Sequence, residues 1–197
     1  MGSTAPWRQL LSKSLDSNSS LRHATYFQLA TVRPDGRPAN RTVVFRGFME
    51  GTNKLQVTTD SRTHKVEEIR HCPYGEVCWY FTDSWEQFRI QGKLDIIDET
   101  DTEPMRLLMR ERAWFASSPR SRLQFLGPQP ALPVLHTEAE TKHSLDPSAG
   151  PVGTFCLLTL DPEQVDYLDL KNNQRIVFKL FTQSNGIHEW MQEEVNP

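Results

Sequence analysis

A mainly β fold with flanking helices, closing as an antiparallel barrel, follows from three features of the sequence. About eight runs rich in β-branched and aromatic residues stand against three helical stretches. Turn signals join most of the runs as hairpins, and strands do not alternate with helices as a doubly wound sheet requires.

Trp7, Leu10, Leu11 and Leu15, within residues 5–16, have the spacing of one helical face. Ala24 to Thr31 turns aromatic and β-branched, Arg33-Pro-Asp-Gly-Arg supplies a turn, and Asn40 to Phe48 returns as the second arm of a hairpin. Glu50-Gly-Thr-Asn and Lys54 to Thr59 extend it to a meander. Asp60 or Ser61 then caps a helix from about Arg62 to His71, with Val66 and Ile69 inward and Pro73 as its stop. Glu76 to Thr82 and Gln87 to Ile97 form a hairpin of long strands around Asp83-Ser84. Thr102 to Phe115 is helical, with Met105, Leu108, Met109 and Arg112 on its packed face and Glu103 and Pro104 favouring its first turn. The Pro-rich polar stretch from Gly127 to Gly153 is a surface loop. Thr154 to Leu160, Gln164 to Leu170, Arg175 to Thr182 and His188 to Met191 supply three or four further strands.

A length of 197 residues suits a single domain over residues 1–197, and 37% hydrophobic residues supply its core. A net charge of -3 argues against a general nucleic-acid binder. No apolar run approaches a membrane span or a secretory signal, so the expected location is cytoplasmic, with an organelle as the alternative. Met1-Gly2 resembles a myristoylation start, but Pro6 stands where Ser or Thr is required. Cys72, Cys78 and Cys156 have no CxxC spacing and read as reduced, buried thiols, which leaves the sequons at Asn18 and Asn40 without meaning. The histidines at 23, 64, 71, 136, 143 and 188 lack ligand spacing, so no metal is expected. Cys156, within an apolar run, reads as core rather than nucleophile.

The densest chemical cluster is Thr58, Thr59, Ser61, Arg62, Thr63 and Lys65. Hydroxyls and cations at a helix start suit a phosphate monoester, although a solvated turn before an ordinary charged helix has the same composition. Neither GxxxxGK[ST] nor a strand-borne GxGxxG competes for that phosphate. Arg41 and Arg46 bracket an alternating strand and face opposite ways, although solvated residues at a strand's ends read the same. Gln87 opens a long strand with a carboxamide that both donates and accepts, as a flat heteroaromatic ring demands, although an ordinary polar strand position has the same composition. Trp79, Tyr80, Phe81 and Trp85 read as core and interface packing rather than a base-stacking platform.

The ordered motifs RTVVFR, VTTDSRTHK and WEQFRIQG resemble the pyridoxamine 5'-phosphate oxidase family of FMN-binding split barrels, in particular its short plant and cyanobacterial branch. The similarity runs from about Thr25 to Ile97 and returns near VDYLDLKNNQR. It implies that Arg41, Thr42, Val43 and Val44 line the flavin, and that Thr58, Thr59, Arg62, Thr63 and Lys65 hold the FMN phosphate. It further implies that Gln87 faces the ring and Arg175 approaches FMN, and that a homodimer builds the site between its subunits. The implied activity is an oxidase: FMN takes a hydride from C4' of pyridoxamine or pyridoxine 5'-phosphate, and oxygen is reduced to hydrogen peroxide.

The chain departs from the family at the substrate. Arg46 stands where a lysine ends the first motif, and His64 where an arginine is frequent, with Arg62 as its replacement. Asn173-Gln-Arg-Ile-Val lacks the histidine of the Arg-x-His element, which leaves Arg46 with Arg122 or Arg120 as substrate residues. A split-barrel flavoprotein with another small-molecule substrate, and a non-catalytic FMN-binding protein, are therefore the alternatives.

Overall fold

The computed structural model describes residues 4–133, 144–183, 186 and 188–197. The Met1-Gly2 start, His136, His143 and the middle of the Pro-rich loop lie outside the described residues. The elements run α1 (Trp7–Ser17), β1 (Tyr26–Val32), β2 (Pro38–Phe48), β3 (Leu55–Asp60), α2 (His64–His71), β4 (Tyr74–Phe81), β5 (Glu86–Ile97), α3 (Pro104–Ala116), α4 (Pro119–Leu123), β6 (Phe155–Asp169), β7 (Gln174–Thr182) and β8 (His188–Val195).

The strands order as β3-β2-β1-β4-β5-β6-β7-β8, and β3 also pairs with β6. That pairing closes six antiparallel strands into a barrel and leaves β7 and β8 as a ribbon beyond it. Alternation sends Phe27, Leu29, Val43, Val57, Val77, Trp79, Phe88, Ile90 and Val165 into the barrel, all at most 9% exposed. Trp79 lies 5.0 Å from both Phe27 and Phe45, ring to ring. Trp7 of α1, fully buried, packs against Phe48 and Trp190 and ties the opening helix to the barrel and the ribbon. Among the described residues no helix is long and apolar enough to cross a membrane.

Several local expectations are corrected. Thr154 to Leu160 and Gln164 to Leu170 form one continuous strand, β6, because Asp161-Pro162-Glu163 makes a register shift against β5 instead of a turn. Gly92 permits it: a Cβ there would stand 2.0 Å from the Asp161 carbonyl oxygen. The last strand runs on to Val195. In α3 the packed face carries buried Arg110 and Trp114, while Met105, Leu108 and Arg112 are exposed. Hydrophobic spacing misses this face because its central residue is a charged one, satisfied by main-chain carbonyls. PRSRL forms the short helix α4, whose Ser118 cap accepts from Ser121 N at 3.2 Å. Cys72 and Cys78 are half-buried, and only Cys156 of the three free thiols is buried.

Candidate functional site

The cradle begins where β3 runs into α2. The helix starts at His64, not Arg62, and its cap residue Thr63 makes no side-chain cap bond. Asp60 shapes the connection. Its carboxylate accepts from Arg62 N at 2.8 Å, its carbonyl accepts from Thr63 Oγ1 at 2.7 Å, and Ser61 N donates to the Thr154 carbonyl at 2.8 Å. Arg62 therefore precedes the helix, whereas Lys65 lies in its first turn.

Lys65 Nζ donates to Thr63 Oγ1 at 3.0 Å and to Thr59 Oγ1 at 3.1 Å, and the two hydroxyls lie 3.5 Å apart. Burial pulls the Lys65 pKa below its usual value, and the neighbouring charge of Arg41 pulls it further. A partly desolvated ammonium next to a second cation, with rotatable hydroxyls around it, is stabilised by an incoming anion.

Two cavities meet here. One, of about 320 Å³, is lined by Thr42, Val43, Val44, Arg46, Thr58, Thr59, Asp60, Thr63, Lys65, Gln124, Phe125 and Pro130. The other, of about 670 Å³, shares Thr63, Lys65 and Pro130 and adds Arg33, Arg41, His64 and Glu68 among its walls. The structure thus brings Thr42, Val43, Val44, Arg46, Thr58, Thr59, Thr63 and Lys65 to one cavity, with Arg41 at the adjoining one.

The remaining sequence-predicted residues stand elsewhere. Arg62 turns from the cradle to pair with Asp60 at 2.7 Å and donates to the Gly127 carbonyl at 3.0 Å, fastening the start of the Pro-rich loop. Gln87 lies on the outer face of β5 and accepts from Cys78 Sγ at 3.8 Å. Arg175 makes a two-pronged contact with Asp166, at 2.9 and 2.7 Å. Between β3 and β5 lie four inter-strand steps, about 19 Å of curved wall at ~4.8 Å each. The other route, along β6 from Cys156 (opposite Thr59) to Leu168 (opposite Gln87), is ~40 Å of strand at about 3.3 Å per residue. Neither Gln87 nor Arg175 lines either of these cavities.

Arg122 is corrected by its surroundings. It is 6% exposed, donates to the Ser117 and Pro147 carbonyls at 3.0 and 2.9 Å, and lies over the Trp114 ring. This is a clamp on the described end of the Pro-rich loop. Cys156 is buried and its pKa is pushed up to about 12, chiefly by burial, so no thiolate is available there near neutral pH.

Sequence reasoning missed Asp60, Gln124, Phe125 and Pro130 as lining residues, and Glu68 as the partner of Arg41. Glu68 sits three residues after Lys65, on the same helix face, and beside inward Ile69; that spacing was the available signal. Nothing local marks Gln124, Phe125 and Pro130, which reach the cavity through the α4 connection.

The barrel of six antiparallel strands thus carries a cation and threonine cradle at the junction of β3 and α2, an arrangement shared in fold with FMN-binding proteins. Residues 4–98 match the family described as pyridoxamine 5'-phosphate oxidase, FMN-binding domain. An Arabidopsis thaliana protein named pyridoxine/pyridoxamine 5'-phosphate oxidase 2 is 50% identical over 193 residues, 98% of each chain. A crystal structure of a pyridoxamine 5'-phosphate oxidase-related, FMN-binding protein from Nostoc punctiforme matches all of both chains at 43% identity, with a TM-score of 0.92. PhzG from Burkholderia lata, 16% identical over 98% of this chain and 94% of its own, shares the fold with a TM-score of 0.74. The chain belongs to the pyridoxamine 5'-phosphate oxidase family, and it is an FMN-dependent oxidoreductase. The donor set fits that cofactor, because Lys65 and its threonine hydroxyls offer a monophosphate several donors, and the carboxylates nearby are each held by an arginine, Asp60 by Arg62 and Glu68 by Arg41.

Proposed function

We propose that the protein oxidises pyridoxamine or pyridoxine 5'-phosphate to pyridoxal 5'-phosphate, with oxygen reduced to hydrogen peroxide. The observation that carries this reading is the whole-length 50% identity with the Arabidopsis protein of that name. Bound FMN supplies the two-electron chemistry, and the chain's residues bind, orient and enclose. Lys65, Thr58, Thr59 and Thr63 hold the cofactor phosphate, with Arg41 from the neighbouring wall and Arg62 as the post that keeps the cradle's turn in shape. Thr42, Val43 and Val44 form the wall along which the flavin lies. Arg46, exposed at the rim of the same cavity, takes the substrate phosphate. Phe125 and Pro130 cover the cavity from the side of the loop and limit water. Arg122, held in its clamp, is left out of the substrate site.

Gln87 and Arg175 enter through a second subunit. They lie across the barrel wall from the cradle of their own chain, so a homodimer that seats this face against a partner's cradle completes the site. Light scattering on the purified protein tests it: a dimer supports the reading, and a monomer that holds FMN sinks it. The three free cysteines suit a reducing compartment, and the cytoplasm is the location proposed.

The activity is tested by adding pyridoxamine 5'-phosphate to the FMN-loaded protein without oxygen. Bleaching of the visible flavin band with one equivalent of pyridoxal 5'-phosphate, then return of the band and release of peroxide on admitting air, is expected; an unchanged spectrum rules the substrate out. Two features favour another small-molecule substrate, or FMN binding without turnover: Asn173-Gln-Arg-Ile-Val has no histidine, and Arg122 is buried. Bleaching by NADH or NADPH, with none by the vitamers, would select the first; no bleaching by any of them would select the second.

A further inference from the structure

Glu68 is a carboxylate in a place where one needs a reason. It lies on the inner side of α2, is 4% exposed, and points at β1 and β2. Its Oε2 accepts from Thr31 Oγ1 at 2.5 Å and from Arg41 Nη2 at 2.6 Å, and Arg33 stands 3.9 Å from Oε1. Arg41 Nη1 donates to the Leu29 carbonyl at 3.3 Å and also to Thr31 Oγ1. The guanidinium is thus gripped from two elements, and both residues border the cavity that Lys65 lines.

Burial opposes the charge of Glu68, yet the donors from Thr31 and Arg41 and the charges of Arg41 and Arg33 outweigh it and hold the pKa below the usual glutamate value. The carboxylate is therefore an anion at neutral pH. Arg41 and Lys65 repel each other, so a guanidinium free to turn would swing into solvent when no anion is bound. A long side chain already held in place avoids the ordering cost that a mobile one incurs on binding.

We propose that Glu68 is a positioning residue for the cofactor site: it anchors the Arg41 guanidinium beside Lys65, so that the cradle has both cations in place before the FMN phosphate arrives. This rests on the assignment of Arg41 and Lys65 to that phosphate. The competing role is a plain structural tie between α2 and β1, which would act on the fold whatever residue 41 is.

A double-mutant cycle on apoprotein separates the two, with FMN affinity read from flavin fluorescence quenching and folding from thermal melts. Glu68→Gln keeps the shape and removes the charge, and it should raise the FMN Kd about tenfold, the scale of one charge-assisted hydrogen bond. In the Arg41→Ala background the same change should lose most of its effect, because no guanidinium is left to position and only the direct influence of the Glu68 charge on Lys65 remains. Should Glu68→Gln fail to fold, Glu68→Asp keeps the charge, shortens the reach and carries the same cycle. An equal, additive loss in both backgrounds, or no loss in either, overturns the role of Glu68 alone. If Arg41→Ala leaves the Kd unchanged, the phosphate assignment of Arg41 falls with it.

Discussion

Two groups of sheltered cations, one at the cradle and one in and beside α4, behave differently. At the cradle, Arg41 and Lys65 contact mostly side chains: the Thr31, Thr59 and Thr63 hydroxyls and the Glu68 carboxylate. At the clamp, Arg110 and Arg122 donate to main-chain carbonyls, those of Phe155 and Val152 and of Ser117 and Pro147. Hydroxyls rotate and re-aim when a ligand arrives, whereas carbonyls in a packed loop do not. The cradle also borders open volume, while the clamp is closed by the Trp114, Phe125 and Phe155 rings. An arginine's task is thus read from its acceptors and its free volume, not from its presence in a basic stretch such as RAWFASSPRSRLQF.

The largest effect that can break this comparison is expected at Lys65. Lys65→Ala should weaken FMN about 100-fold, near 2.7 kcal/mol, and leave the melting temperature of apoprotein nearly unchanged; a large loss of stability instead would make Lys65 a structural cation like Arg110. Arg122→Ala should do the reverse. Leaving buried carbonyls unpaired costs about 2 kcal/mol, or roughly 4–8 °C in Tm for a chain of this size, with FMN Kd and substrate KM unaltered. A raised KM at unchanged Tm would return Arg122 to the substrate site.

Smaller again is Arg46→Ala, which should raise the KM for pyridoxamine 5'-phosphate about tenfold with kcat little changed; a fall in kcat alone would move Arg46 from substrate binding to the chemical step. The mildest test is pH. Phosphate favours the protonated ammonium of Lys65, and burial with Arg41 holds that pKa down. FMN affinity should therefore fall on the alkaline side, starting below the ~10.4 at which an ordinary lysine titrates, and Lys65→Arg should flatten the profile.

Most of the architecture was legible locally. Among the described residues, periodicity placed seven of the eight strands and the three longer helices and split the remaining strand, β6, in two, since the barrel buries one face of each strand and the alternation survives in residues such as Val43 and Val57. The breaks came where a polar group is satisfied by distant partners. Arg110 reads as an exposed helical residue until the Val152 and Phe155 carbonyls are present, and Pro162 reads as a turn until Gly92 makes room opposite it. The cradle's threonines and Lys65 were visible because they lie within eight residues of chain. Arg62 looked equivalent to them, and it was Asp60 and the Gly127 carbonyl that drew it aside.

The sequence by itself determined the antiparallel strand content and the cation and hydroxyl cluster proposed to take the phosphate, because both rest on spacings of a few residues. Only the tertiary structure decided which cations face that cluster. The β3 to β6 closure sets Thr59 opposite Cys156, nearly a hundred residues later, and so brings Gln124 and Phe125 to the cavity wall. The same closure carries Gln87 and Arg175 round to another face, and it packs α2 so that Glu68 meets Arg41. Such contacts arise from non-local strand pairing, whose register depends on the whole wall of the barrel and is written in no short stretch of it.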